Sequence, residues 1–368
     1  MRRLAAVLCA AVLASSAAML VPALSAATSG PHTARPWTPV KGIAVDLSLA
    51  SSINDAQAIT IGTQLFSTIA TKFHANAVSF NFPFIQSSSR ANDPHGAPMT
   101  PSPGRLAMLT ALAHRYHLAV QYRPYLWEGN LTKACPTPQC PSQSRPSIRP
   151  SNVAVWFQNY WLFLEPYLAS ANEAGAASFS VALEFTSLLP WTKWPCRSCL
   201  SDWSRLVQRA KTIYAGQVVY SQQHIPQETI PLTARGYDAY QPIELKSPRD
   251  VSIHAFTSGF IRNFQMAGMQ STPADLIVEE LGIPAVAGAY DEPNYFHYNP
   301  GTAVDRPVQT DWFAGACNAF RALHMAGIYY WSIDFNTFTP TENASKKIYD
   351  WLGTPSATAI ESCFAGIP

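Results

Sequence analysis

Ala177-Ser178-Phe179-Ser180-Val181-Ala182-Leu183-Glu184-Phe185 is a short apolar run that ends in a carboxylate. Its length and its β-branched and aromatic content read as a strand. Alternation divides it into two faces. Phe179, Val181, Leu183 and Phe185 make a bulky face suited to packing under helices. Ser178, Ser180, Ala182 and then Glu184 make a face of small residues that fits the crowded interior of a closed barrel. On this reading Glu184 points inward at the strand's C-terminal end, where a carboxylate must be paired, hydrated or used. A purely structural Glu, bonded to loop amides, is the alternative.

Seven similar runs flank this one, near 42–48, 77–83, 118–126, 217–222, 237–241, 275–281 and 327–333. Between them lie helix candidates at 54–73, 105–116, 152–174, 202–214, 250–268, 310–326 and 343–352. Ile59, Leu65, Ile69 and Phe73 recur at helical spacing in the first, as do Trp312, Phe313, Cys317, Phe320 and Leu323 in the sixth. Eight βα units with nearly continuous apolar strands predict a single-domain α/β fold, the (β/α)8 TIM barrel. An open doubly wound sheet is disfavoured because no Gly-rich phosphate loop follows the first strand. Long Pro/Gly/Ser-rich segments, 85–104, 127–150, 186–200, 222–236 and 283–309, each follow a strand. In a barrel these extended loops form the C-terminal face, where active sites are built.

Arg2 and Arg3, the apolar stretch to Leu20 and small residues near 25–27 read as a signal peptide over 1–27. A linker over 28–40 and the barrel over 41–368 would follow. An uncleaved N-terminal anchor is the alternative, since the apolar stretch is nearly of spanning length. Removing Arg2 and Arg3 from 25 basic residues leaves 23, equal to the 23 acidic ones, and no basic stripe remains. That excludes nucleic acid and an anionic membrane surface as expected partners. The expected product is a secreted, extracellular monomer with no membrane contact after signal removal.

Cysteine usage agrees with export. Apart from Cys9 there are six, Cys135, Cys140, Cys196, Cys199, Cys317 and Cys363. An even set behind a signal peptide reads as disulfides, with Cys317–Cys363 the favoured bridge. A four-cysteine zinc site from Cys135, Cys140, Cys196 and Cys199 is the alternative, but the loose spacing and the oxidising compartment favour disulfides and no metal. The nine histidines contain no His-x-x-x-His pair, so no metal or other cofactor is expected.

A second acidic strand end reads Asp275-Leu276-Ile277-Val278-Glu279-Glu280-Leu281-Gly282. Alternation does not say whether Glu279 or Glu280 faces the interior. Two carboxylates at one barrel mouth are what glycoside hydrolysis needs, one protonated beside the leaving oxygen and one anionic facing the anomeric carbon.

Strands four and seven ending in Glu, with an aromatic strand eight, form a layout that resembles clan A glycoside hydrolases, and more specifically glycoside hydrolase family 113. The matching pieces are Val181 to Ser187, Trp203, Tyr214 to Tyr220, Tyr237 to Pro242, Ile277 to Gly282 and Gly327 to Trp331. The resemblance implies a retaining endo-β-mannanase acting on a polysaccharide or oligosaccharide such as β-1,4-mannan. It implies Glu184 as acid/base, Glu280 as nucleophile, Tyr240 as a hydrogen-bond partner of the nucleophile and Trp331 as the floor beneath the sugar. Asn81, Arg123, Tyr125, Trp127, Gln222, Trp191 and Trp194 are further sugar contacts expected from the loop mouths. Three departures from the family pattern stand out. Leu183 replaces the Asn that many clan A enzymes carry before the acid, Ala182-Leu183 replaces Gly-Thr, and Gln222-Gln223 replaces Asn-Trp. They motivate an alternative, a carbohydrate-binding barrel that no longer cleaves.

Overall fold

A computed structural model describes residues 37–129, 131, 144–189, 196–223, 230–245, 251–267, 273–294, 302–339 and 349–368. Cys135, Cys140, Trp191, Trp194 and the expected signal segment lie outside the described residues, as do 343–348 of the last expected helix.

Eight parallel strands close on themselves in chain order. They are β1 Val40–Asp46, β2 Ala77–Phe84, β3 Ala119–Leu126, β4 Ser178–Leu183, β5 Gln217–Gln222, β6 Ala234–Asp238, β7 Leu276–Leu281 and β8 Gly327–Asp334. The helices are α1 Asp55–Thr71, α2 Pro103–His114, α3 Val153–Ala174, α4 Cys199–Ile213, α5 Ile253–Ala267, α6 Arg306–Ala322 and α7 Pro355–Ala365. The fold is the (β/α)8 barrel read from the strand pattern.

Local signals fix most helix starts. Asn54 caps α1 in a capping box with Gln57, and Ser102, Asn152, Asp305 and Thr354 cap α2, α3, α6 and α7. Gly175 ends α3 at φ +72°, a left-handed value that glycine adopts without strain. Between strands and helices lies an aromatic layer in which Trp156, Trp203, Trp312 and Trp351 are fully buried. Trp203 stacks on Phe185 at 6.0 Å and donates its indole N–H to the Leu188 carbonyl, so it belongs to this layer.

Two expected elements are displaced. The strand expected at 237–241 is Ala234–Asp238, because it opens with Ala234-Arg235-Gly236, a stretch that reads as loop. Gly236 is required there, since a Cβ would come 2.8 Å from Glu279 Cγ. The last described helix is Pro355–Ala365, started by the Thr354-Pro355 cap; of the helix expected at 343–352 only 349–352 are described, and they are not helical.

Cys317 in α6 is bonded to Cys363 in α7, and Cys196 to Cys199 at the start of α4. The second bond consumes two of the four thiols that a zinc site would have needed. No described helix is long and apolar enough to cross a membrane.

Candidate active site

The strand-four alternation breaks before it reaches Glu184. Ser180 pairs with Val219, but Ala182 pairs with Tyr220 and Leu183 with Ser221, a one-residue shift around Val181. Register partners in a parallel pair share a face. Tyr220 lies 5.1 Å from the Trp203 ring in the helical layer, whereas the Ser221 hydroxyl bonds inside the barrel. Ala182 therefore faces the helices and Leu183 the interior, the reverse of the sequence reading.

Glu184 still reaches the mouth, by a second device. Its backbone turns to φ +55°, a left-handed value uncommon for a residue with a side chain, and its N–H donates to the Ser221 carbonyl at 2.9 Å. Gln223 Nε2 donates to Glu184 Oε1 at 2.9 Å, and Arg145 Nη2 stands 3.2 Å from Oε2. Burial raises the Glu184 pKa above the usual carboxylate range; Arg145 opposes the rise and the negative charge of Glu280 adds to it.

Strand seven is irregular at the same level. Tyr237 pairs with Val278 but Asp238 with Glu280, so Glu279 is the extra residue. That shift brings both glutamates inside, which settles what alternation left open. Both meet Arg123, whose side chain is fully buried. Arg123 Nη1 donates to Glu280 Oε1 and, at 3.1 Å, to Asn81 Oδ1. Its Nη2 donates to Asp238 Oδ1 at 2.7 Å and Ser221 Oγ at 3.2 Å. Its Nε lies 3.3 Å from Glu279 Oε2, an ion-pair contact outside hydrogen-bond geometry.

One guanidinium thus faces three carboxylates. Burial works against the charge on Arg123, yet Glu280, Asp238 and Glu279 together hold it firmly protonated. The acids carry the converse load. Burial pushes Asp238 well above its ordinary value against the pull of Arg123, and it raises Glu279 against Arg123 and a 2.7 Å bond from Gln121 Nε2. Glu279 is the deeper of the two strand-seven acids, fully buried, while Glu280 is 3 % exposed and nearer the opening.

The remaining expected contacts fall into two groups. Tyr240 faces Glu280; burial and that charge lift its phenol well above the ordinary value, though the hydroxyl completes no hydrogen bond of regular geometry. Trp331 is half-buried, and its carbonyl accepts from Trp351 Nε1 at 2.9 Å. Tyr125 and Trp127 are also half-buried at the end of β3, with the Tyr125 hydroxyl 2.7 Å from Ser48 Oγ. Asn81 and Gln222 are shut in. Asn81 is fully buried, donates to the Ser79 carbonyl at 3.0 Å and accepts from Arg123. Gln222 pairs with Tyr237, whose ring packs 6.1 Å from Phe264, so it lies on the helical face.

Sequence reasoning missed Arg145, Asp238, Ser221 and Gln223 as parts of the site, and it weighed Glu279 only as the alternative to Glu280. Asp238 and Gln223 adjoin residues that were singled out, and a one-residue change of phase would have found them. Arg145 carries no such signal: it lies at the far end of a long loop, and only the folded chain brings it back to Glu184.

A sequence model of glycoside hydrolase family 113 matches residues 111–354. Among curated protein sequences, none matches the chain. A solved family 113 β-1,4-mannanase superposes with a TM-score of 0.70 at 14% identity, covering 89% of this chain and 99% of its own. The family 113 β-mannanase AaManA from Alicyclobacillus acidocaldarius gives 0.66 at 18% identity, covering 89% and 98%. A family 5 mannosidase from Rhizomucor miehei gives 0.54 at 12% identity, covering 89% and 92%. At such identities the superpositions speak for the barrel alone. The family match spans more than half of the sequence, from α2 to the loop before α7, and takes in both strand-end glutamates: the chain belongs to glycoside hydrolase family 113.

Proposed function

We propose that the protein is a secreted, retaining glycoside hydrolase that cleaves β-glycosidic bonds within a polysaccharide, β-1,4-mannan or glucomannan being the first candidates. The observation that carries this reading is the pair of dissimilar acids at one mouth. Glu184 is a buried carboxyl with raised proton affinity, and Glu280 is bonded to the permanent cation Arg123.

In the first step a Glu280 oxygen bonds to the anomeric carbon while the bond to the leaving oxygen breaks, and Glu184 gives that oxygen its proton. In the second, Glu184 takes a proton from water, whose oxygen bonds to the anomeric carbon and releases the Glu280 carboxylate. Tyr240 steadies Glu280, and Trp331, Trp127 and Tyr125 offer aromatic surface to the sugar. Asn81 acts through Arg123 rather than on substrate. Residues 1–27 serve as the export signal and 28–39 as a linker ahead of β1, and the two disulfides suit an oxidising compartment.

Incubating the protein with a polysaccharide panel and reading products by mass spectrometry tests the substrate, and the same assay on Glu280→Ala tests the mechanism. Turnover near the wild-type rate in Glu280→Ala would refute the assignment. Leu183 supports a second reading, binding without cleavage, because an apolar side chain faces the interior beside the acid. Calorimetric titration with mannan and xylan oligosaccharides would then give binding with no reducing ends formed.

A further inference from the structure

The loop after β3 leaves the barrel at Trp127 and returns at Arg145, whose guanidinium is set against Glu184. Nη2 lies 3.2 Å from Glu184 Oε2. Glu128, at the start of the same loop, grips this arginine twice. It accepts from the Arg145 backbone N–H at 2.8 Å, and its Oε1 stands 3.4 Å from Nε. The guanidinium also stands 6.0 Å from the centre of the Tyr125 ring. A chain of alternating charge therefore runs inward, from Glu128, 40% exposed, through Arg145, 19% exposed, to Glu184, 7% exposed.

We propose, resting on the glycosidase reading above, that Arg145 is a positioning residue which, anchored by Glu128, holds Glu184 in its ionised form for the second half-reaction.

A cation attracts a carboxylate only when the carboxylate is charged. In the free protein the negative charge of Glu280 disfavours a second anion at Glu184, and burial acts the same way. Arg145 is the largest influence in the opposite direction, ahead of the amide of Gln223 and the more distant Arg123. The other charged or titratable groups that sense Glu184 are Asp238 on β6 and the phenol of Tyr220 on β5. When Glu280 becomes an ester of the sugar its charge disappears, while Arg145 stays. The balance at Glu184 then tips toward the anion, the form that must take a proton from water. Gln223 also favours the anion, but as a neutral amide it does so more weakly. Arg145 is therefore the main support of the ionised form, and the loss of the Glu280 charge is what separates the two half-reactions.

The test is a titration of the Glu184 carboxyl by carbon NMR in the intact protein, assigned with Glu184→Gln, for wild type, Arg145→Gln, Arg145→Lys and Glu128→Gln. Loss of the arginine moves the midpoint upward by about one pH unit, as expected for an opposite charge removed from within ~4 Å. Arg145→Lys stays near wild type, and Glu128→Gln moves the same way by less. On an active substrate the alkaline limb of kcat/KM moves with the midpoint. With an activated leaving group, where the second step limits, kcat falls about tenfold. An unmoved midpoint in Arg145→Gln or in Glu128→Gln, or a lysine variant displaced as far as the glutamine one, overturns the proposal. The titration needs no turnover, so it is read independently of whether wild type cleaves any polysaccharide.

Discussion

Glu184 and Glu280 differ in what surrounds them, and the difference predicts unlike mutants. On the proposed mechanism Glu184→Ala loses the proton donor, so turnover of natural glycans is expected to fall about 10²- to 10⁴-fold. An aryl glycoside with a good leaving group still forms the intermediate, and added azide restores release as the glycosyl azide, which chromatography detects. Arg123→Met has a different expected outcome, because it strips the buried cation from Glu279, Glu280 and Asp238 at once. A loss of about 3–5 kcal/mol in urea unfolding is expected, the scale for a broken buried ion pair. At this scale the sequence was legible in part. Alternation led to Glu184, but by a route that the strand does not take, since it sent Leu183 outward. A bulge is one extra residue with no composition of its own, and Glu184 recovers its direction through a left-handed backbone.

The elements were easier to read than their edges. Strand β6 was sought three residues too late because Arg235-Gly236 reads as loop, and the demand for a glycine comes from Glu279 on the neighbouring strand. Irregular register changes the phase of both acidic strands: in β7 it brings Glu279 and Glu280 inside together, and in β4 it turns Leu183 inward before the left-handed backbone redirects Glu184. Lower in the barrel the packing is regular and tight. A Cβ on Gly42 would come 2.1 Å from the Tyr329 ring, so Gly42→Ala is expected to cost about 1–3 kcal/mol by overpacking. Gly104, in the first turn of α2, has nothing within 4 Å of such a Cβ. Gly104→Ala is therefore expected to be neutral or to stabilise by up to about 1 kcal/mol. Thermal melts of the two variants side by side check the contrast.

For the molecule as a whole, one cross-link and one charge imbalance govern stability. The Cys317–Cys363 bond spans 46 residues and ties α7 to α6, so replacing both cysteines by serine is expected to cost about 2–4 kcal/mol. The pH dependence follows from Asp238 and Glu279, whose proton affinities in the fold exceed their ordinary 3.8 and 4.5. Between the ordinary and the raised values the folded protein holds protons that the unfolded chain has released. Stability from these groups is fully present below the ordinary values and is lost as pH rises through the raised ones. The urea midpoint is therefore higher at pH 5 than at pH 7.5, and Asp238→Asn flattens the difference. The single arginine among three acids has a further consequence. Where three carboxylates crowd one cation each charge weighs on the others, and that of Glu280 raises the proton affinity of Asp238, Glu279 and Glu184 alike. Neutralising it in Glu280→Gln would silence the proposed chemistry and is expected to lower the proton affinity of the acids left behind. The variant suited to trapping a bound glycan is then also one whose stability leans less on pH.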